Sequence, residues 1–187
     1  MTALLRQRRS WTRAACRLML GMLALGSPLS ALGADIEDSI KATYLYKFLG
    51  YVDWPAGTFA APDTPQVIAV LRADEVLAEL QVLAGVRNAQ LGNRRLVVRR
   101  LTADEPLDGV HVLHIGRGAH PVEPIAWSRL PVLVVTDNPA GISEHAALNF
   151  VTIDRRVRFE AAPATAERAG LKLSARLLAV AERVVPP

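Results

Sequence analysis

The run Val67-Ile68-Ala69-Val70-Leu71 has no polar position in five consecutive residues. A strand made of it has no side to show to water, so it needs cover on both faces, as strands of a parallel sheet do. Val132-Leu133-Val134-Val135 repeats the pattern and is the clearest core strand in the chain. Leu96-Val97-Val98 and Val110 to Ile115 are two more segments of strand length. Only Thr102 to Gly109 separates these two, which is tight for a parallel crossover and leaves room for one capped helical turn at most.

Helical patterns alternate with these strands. Ile36, Ile40, Tyr44, Phe48 and Val52 recur every four residues, widened by Leu45 and Leu49, and predict a helix over Asp35–Tyr51. Glu37 and Lys41 form an i,i+4 pair of the favourable polarity, and Pro55 forbids continuation. Asp74 reads as the N-cap of a helix carrying Val76, Leu77, Leu80 and Leu83, and a short helix is expected around Pro124–Arg129. Phe150 to Ile153 and Val157 to Phe159 flank Asp154-Arg155-Arg156 as a hairpin. Pro163 then opens a closing helix, interrupted at Gly170, whose second part carries Leu173, Leu177, Val180 and Val184. The expected fold is α/β: a three-layer α/β/α sandwich with a mixed, mostly parallel sheet and a C-terminal hairpin plus helix.

The first 33 residues follow a different logic. Their five charges are all arginines, Arg6, Arg8, Arg9, Arg13 and Arg17, followed by the apolar run Leu18 to Leu25 and then Ala31-Leu32-Gly33. A positive start, a short apolar stretch and a small-residue cleavage site describe a secretory signal peptide. The run is well short of the ~20 residues a spanning helix needs. Residues 1–33 are therefore expected to be removed on export, leaving one domain over 34–187 in the periplasm. Taking the five arginines from the 22 basic residues leaves 17 against 18 acidic ones, a net charge near −1. The basic character of the whole chain belongs to the targeting segment, and a nucleic-acid partner is not expected. The one cysteine, Cys16, lies in that segment too, so the mature chain has no disulfide and no thiolate.

No catalytic set emerges. Among the mature histidines, His111 and His114 stand at an odd offset on one strand and so cannot chelate one metal together, while His120 and His145 lie in loops. No metal, cofactor or catalytic residue is assigned. Asp74 and Asp137 each follow a buried strand, where the crevice of an open α/β sheet lies, and are the candidate ligand residues; capping is their plainer role. Six of the nine mature aromatics fall between residues 44 and 59. Tyr44, Phe48 and Tyr51 can share a buried face. Tyr46, Trp54 and Phe59 are candidates for an exposed patch of the residue class enriched at protein–protein hot spots, and Arg158 is a fourth candidate partner contact.

Several stretches resemble one known family. Ile40-Lys41-Ala42-Thr43-Tyr44-Leu45-Tyr46-Lys47-Phe48, running on to Val52-Asp53-Trp54-Pro55, is similar to the "vKaaflynFakfveWP" opening of the YfiR family of periplasmic proteins. Val110 to Ile115 resembles its "cHvLfIs" strand, Leu133 to Asp137 its "Ltvsd", and Leu148 to Val151 its "inFv". Val157-Arg158-Phe159-Glu160 and the later Ala169 to Leu178 resemble "vrFeIN" and "aGLklSsrLL". The family's cysteine before its histidine strand is absent here, and Ala161-Ala162 replaces Ile-Asn. The resemblance implies a non-enzymatic regulator that binds the periplasmic sensor region of an inner-membrane diguanylate cyclase and restrains it, and so governs cyclic-di-GMP. It also implies an outer-membrane lipoprotein that sequesters the regulator. A homodimer, a small-ligand sensor, and an accessory to another sensor such as a histidine kinase are the remaining alternatives.

Overall fold

The computed structural model describes residues 29–89, 94–102, 105–118 and 130–186. The signal-peptide expectation and the helix expected around Pro124–Arg129 fall largely or wholly outside them. Asp35–Pro187 is one of the two compact units into which the chain divides, and the larger. Its elements are α1 (Leu29–Phe48), β1 (Val52–Asp53), β2 (Gln66–Leu71), α2 (Asp74–Asn88), β3 (Leu96–Arg100), β4 (Val112–Ile115) and β5 (Leu133–Thr136). They continue with β6 (Leu148–Ile153), β7 (Arg156–Ala161), α3 (Pro163–Arg168), β8 (Lys172–Leu173), α4 (Ala175–Ala179) and β9 (Arg183–Val184).

The apolar runs become adjacent strands of one seven-stranded sheet, ordered β3-β2-β4-β5-β6-β7-β9. All neighbours are parallel except β6 and β7, which form the expected antiparallel hairpin. The fold is thus the mixed, mostly parallel α/β sheet that the sequence implies. Alternation divides its side chains cleanly. Ile68, Val70, Val112, Leu133, Val135, Leu148, Phe150 and Phe159 face the buried residues of α1, α2, α3 and α4. Ala69, Leu71, Leu113, Ile115 and Val134 face the opposite way, onto Leu101, Leu107, Val110, Val132 and Ala146 from the connections.

This division follows from chain direction. The step from β2 to β3 runs one way along the sheet through α2; the steps β3 to β4, β4 to β5 and β5 to β6 run the other way. Right-handed crossovers then require connections of the second kind to lie on the opposite face from α2, which is where their described residues pack. The short Thr102–Gly109 link suffices because β4 pairs with β2 rather than β3, which leaves only one strand to cross.

Four expectations are corrected by packing. First, α1 ends at Phe48, and Ala42, Leu45 and Phe48 are buried on it with Leu49 just beyond, while Ile36 and Ile40 are 56% and 39% exposed. Lys41 stands in phase with that buried face and turns the helix toward a carboxylate partner. Tyr51 is exposed, and Val52 belongs to β1, paired with Leu173 of β8. Second, Ala73, not Asp74, occupies the N-cap position of α2, and no side chain caps it. Third, the closing helix is two short helices separated by Gly170 (φ 74°) and β8; Val180 is exposed, and Val184 lies on β9 beside β7. Fourth, the hairpin turn contains two residues rather than three. Asp154 and Arg155 both take positive φ, 49° and 60°, as a type I′ turn requires.

An aromatic cluster anchors α1 to the hairpin. Phe48 meets Phe159 edge-on at 5.2 Å and stacks on Phe150 at 6.1 Å, and Tyr44 packs against all three rings. Such pairs add roughly 0.5–1.5 kcal/mol each beyond their buried area. At the other side of the sheet, the step where the strand order reverses lies between β2 and β4. Gly116 crosses there against the backbone of Arg72, itself at φ 54°, and a Cβ on Gly116 would overlap the Arg72 carbonyl. Gly116→Ala is therefore expected to destabilise the fold by about 3 kcal/mol, since backbone rather than a flexible side chain must move. Urea unfolding measures it; a loss below about 1 kcal/mol would mean the two turns separate easily.

Candidate functional site

The Glu37–Lys41 turn of α1 lies against the carboxyl end of β5. There four charged side chains close a ring. Lys41 Nζ lies 2.6 Å from both Glu37 Oε1 and Asp137 Oδ2. Arg117 returns the ring, with Nε 3.0 Å from Asp137 Oδ1 and Nη2 3.0 Å from Glu37 Oε1. Thr152 Oγ1, from β6, donates to Glu37 as well. The side chains of Lys41 and Asp137 are only 4% and 8% exposed, whereas Arg117 is 55% exposed. Signs alternate around the ring, so a charge removed from water has an opposite partner on each side. Next to it, burial raises the pKa of Asp38; Lys41 pulls it down, and Glu37, Glu75 and Asp137 push it further up. The hydrogen bond to Asp137 holds the Arg117 guanidinium more firmly protonated.

His114 lies under this ring, fully buried on β4. Its Nδ1 is 3.2 Å from the Val135 carbonyl, which makes Nδ1 the protonated nitrogen, and Nε2 has no partner. Burial pushes its pKa down to about 4, partly offset by the nearby Asp137 carboxylate and the Val135 carbonyl. The imidazole is therefore neutral near pH 7.

Asp137 is thus tied by both oxygens. Asp74 is exposed, ion-paired with Arg100, and borders an open groove of about 580 Å³ with Arg72, Glu75 and Thr102. The two aspartates sit at the ends of β2 and β5 with β4 between them, roughly 10 Å apart at ordinary strand spacing. They do not form one cluster.

The aromatic candidates gather at the opposite end, around the amino ends of β2 and β4. Trp54 donates its indole N–H to the Leu49 carbonyl at 3.2 Å and meets Phe59 and His111 edge-on. Phe59 stacks flat on His111 at 4.6 Å, with the Arg94 guanidinium 4.6 Å above its ring. His111 Nδ1 accepts the Val67 N–H at 3.1 Å, and burial lowers the ring's pKa. Tyr46 lies close by, half-buried, with Arg87 4.8 Å above its ring. Arg158 is not brought there: it projects from β7 opposite Val151, on the sheet face turned away from α1. Among the described residues there is no group of three or more His, Cys, Asp or Glu side chains placed to hold a metal.

The YfiR/HmsC-like family matches residues 38–182, nearly the whole compact unit. The chain belongs to that family. Members of the YfiR/HmsC-like family regulate diguanylate cyclases and are regulatory rather than catalytic. No curated protein matches the chain.

The polar letters of the YfiR-like segments now have places. Lys41 of the first segment pairs with Asp137 of the third. Asn149 donates to Glu160 at 3.3 Å, binds Asn138 through its N–H and its carbonyl, and accepts the Thr136 hydroxyl at 2.7 Å. Glu160 further accepts the Ile142 N–H and two bonds from Arg183. Glu37, Arg117 and His114 were not singled out as site residues from sequence. Lys41 carried the one usable signal, a charge in phase with Leu45 and Phe48.

Two measurements test this site. Asp137→Leu leaves Lys41 short of a buried partner and is expected to cost about 3 kcal/mol, with Lys41→Met added in the same chain restoring at least half of it. Urea midpoints read the cycle, and additive costs would deny the coupling. For His114, the folded pKa of about 4 lies below the unfolded value near 6.5. The unfolded chain therefore binds the proton first, and stability present above pH 6.5 is lost as pH falls toward 4, by about 3 kcal/mol. The difference between the wild type and His114→Leu across that window isolates this contribution; parallel curves would refute it.

Proposed function

We propose that the protein is exported to the periplasm with removal of residues 1–33, and there binds the periplasmic sensor region of an inner-membrane diguanylate cyclase and holds it inactive. Membership of the YfiR/HmsC-like family carries this reading. The export signal written in the first 33 residues supports it, as does the internal pairing of the family's polar side chains, which leaves the exposed surface as the place of action. No described helix is long and apolar enough to cross a membrane.

Restraint needs only differential binding. A regulator that prefers the inactive cyclase tenfold supplies about 1.4 kcal/mol, within reach of a few desolvated aromatic contacts. Tyr46, Trp54 and Phe59 are the contacts we assign to the cyclase. Release by an outer-membrane lipoprotein would act through competition for the free regulator.

Deleting the gene is expected to raise cellular cyclic-di-GMP several-fold. The full chain should restore it, and a version lacking residues 1–33 should stay in the cytoplasm and fail to do so. An unchanged level on deletion, or restoration by the leaderless form, would overturn the assignment.

A further inference from the structure

The corner around Tyr46 is more than aromatic. A groove of about 360 Å³ opens there, lined among others by Tyr46, Lys47, Tyr51, Gln66 and Arg94, with no carboxylate in its lining. Arg87 extends the cationic side by lying over the Tyr46 ring. Lys47, Arg87 and Arg94 make no ion pair with the described residues, and neither do eight other described cations; what sets these three apart is that they converge on one groove. Arg94 is also held in place: its Nη1 donates to the Ala61 carbonyl at 2.8 Å and to the Thr64 carbonyl at 3.3 Å, while its plane covers Phe59.

Glu37, Asp38, Asp74, Glu75 and Asp137 sit at the far ends of the strands, and Asp53 and Asp63, the exposed carboxylates nearest this corner in sequence, form no ion pair with Lys47, Arg87 or Arg94. The mature chain is close to neutral, so this corner is locally cationic rather than part of a generally basic surface. A fixed guanidinium, a flexible ammonium and two phenol rings around a concave floor complement a segment that alternates carboxylates with a planar or apolar side chain. A flat bilayer would reach the rim and leave the floor empty.

Resting on the regulator reading above, we infer that this groove is the docking site for an acidic, aromatic-containing segment of the partner protein. The carboxylates sit against Lys47, Arg87 and Arg94, and the partner's ring lies between Tyr46 and Tyr51.

The test uses the exported protein purified from the periplasm and a fluorescent random copolymer of glutamate and tyrosine, with binding read by anisotropy. Copolymer binding should fall at least tenfold between 0.05 and 0.5 M salt, where the Debye length shrinks to about 4 Å. Lys47→Glu with Arg87→Glu should weaken it at least tenfold, and Lys47→Arg with Arg87→Lys should retain it. Arg155→Glu with Arg156→Glu changes net charge by the same amount at the distant hairpin turn and should leave binding intact; thermal midpoints confirm that each variant folds. Equal loss in the hairpin variant, equal binding of a lysine–tyrosine copolymer, or binding to phosphatidylglycerol vesicles in place of the copolymer would overturn the inference. In cells the two readings separate. If deletion raises cyclic-di-GMP but the Lys47→Glu, Arg87→Glu protein restores repression fully, the groove falls and the regulator stands. If deletion changes nothing while the copolymer binds as expected, the regulator falls and the groove stands.

Discussion

The contact between Lys41 and Asp137 decides how α1 lies on the sheet. A lysine in phase with Leu45 and Phe48 cannot be buried against aliphatic side chains, since an unpaired ammonium in that setting costs several kcal/mol. Asp137, projecting from the end of β5, meets it at 2.6 Å and so fixes the rotation of the helix. From that rotation follow the exposure of Ile36 and Ile40, the burial of Ala42 and Leu45, and the approach of Phe48 to Phe150 and Phe159. A hydrophobic helix face alone would have allowed several angles. The ion pair with its neighbours Glu37 and Arg117 selects one.

That constraint also marks where sequence reading stopped. The strands were legible because the continuous apolar runs Val67–Leu71 and Val132–Val135 suit strands covered on both faces, and β2 and β5 fall on them, with β3 and β4 on the shorter apolar stretches at Leu96–Val98 and Val110–Ile115. The hairpin was legible from its alternation. The face of α1 was not: period four selected Ile36, Ile40 and Tyr44, and no apolar count could reveal that a lysine belonged inside. The closing helix failed for a related reason. Leu173, Leu177, Val180 and Val184 keep a helical spacing, yet Gly170 and Pro186 bracket a segment short enough to be drawn instead into edge pairings with β1 and β7. Tertiary pairing of a few backbone groups outweighed a marginal helix.

At the candidate sites the sequence had the residues but not their partners. Asp137 stood out because it follows a strand, and Trp54 and Phe59 because aromatics cluster there. What each one touches depends on β4, with His111 just before it and His114 near its carboxyl end: one stacks on Phe59, the other sits buried beneath the Asp137 ring. Strand pairing between distant segments created both neighbourhoods, and local spacing carries no record of it.

The YfiR-like segments are therefore mostly instructions for assembly. Lys41, His111, Asp137, Asn149 and Glu160 hold one another or nearby backbone, and Trp54 caps the Leu49 carbonyl. A group already bound on every side has little left to offer a substrate, which agrees with a family that regulates rather than catalyses. A fold built this way can accept changes on its exposed surface without disturbing its core, because the pairings that hold it together lie in the ring and the aromatic cluster. Separation of the two ends of the sheet makes this practical. The Lys41–Asp137 ring and the Gly116–Arg72 crossing close the carboxyl ends, while Lys47, Arg87 and Arg94 converge on an open groove at the amino ends. The fold thus keeps its buried charge pairing at one end and an open cationic groove at the other.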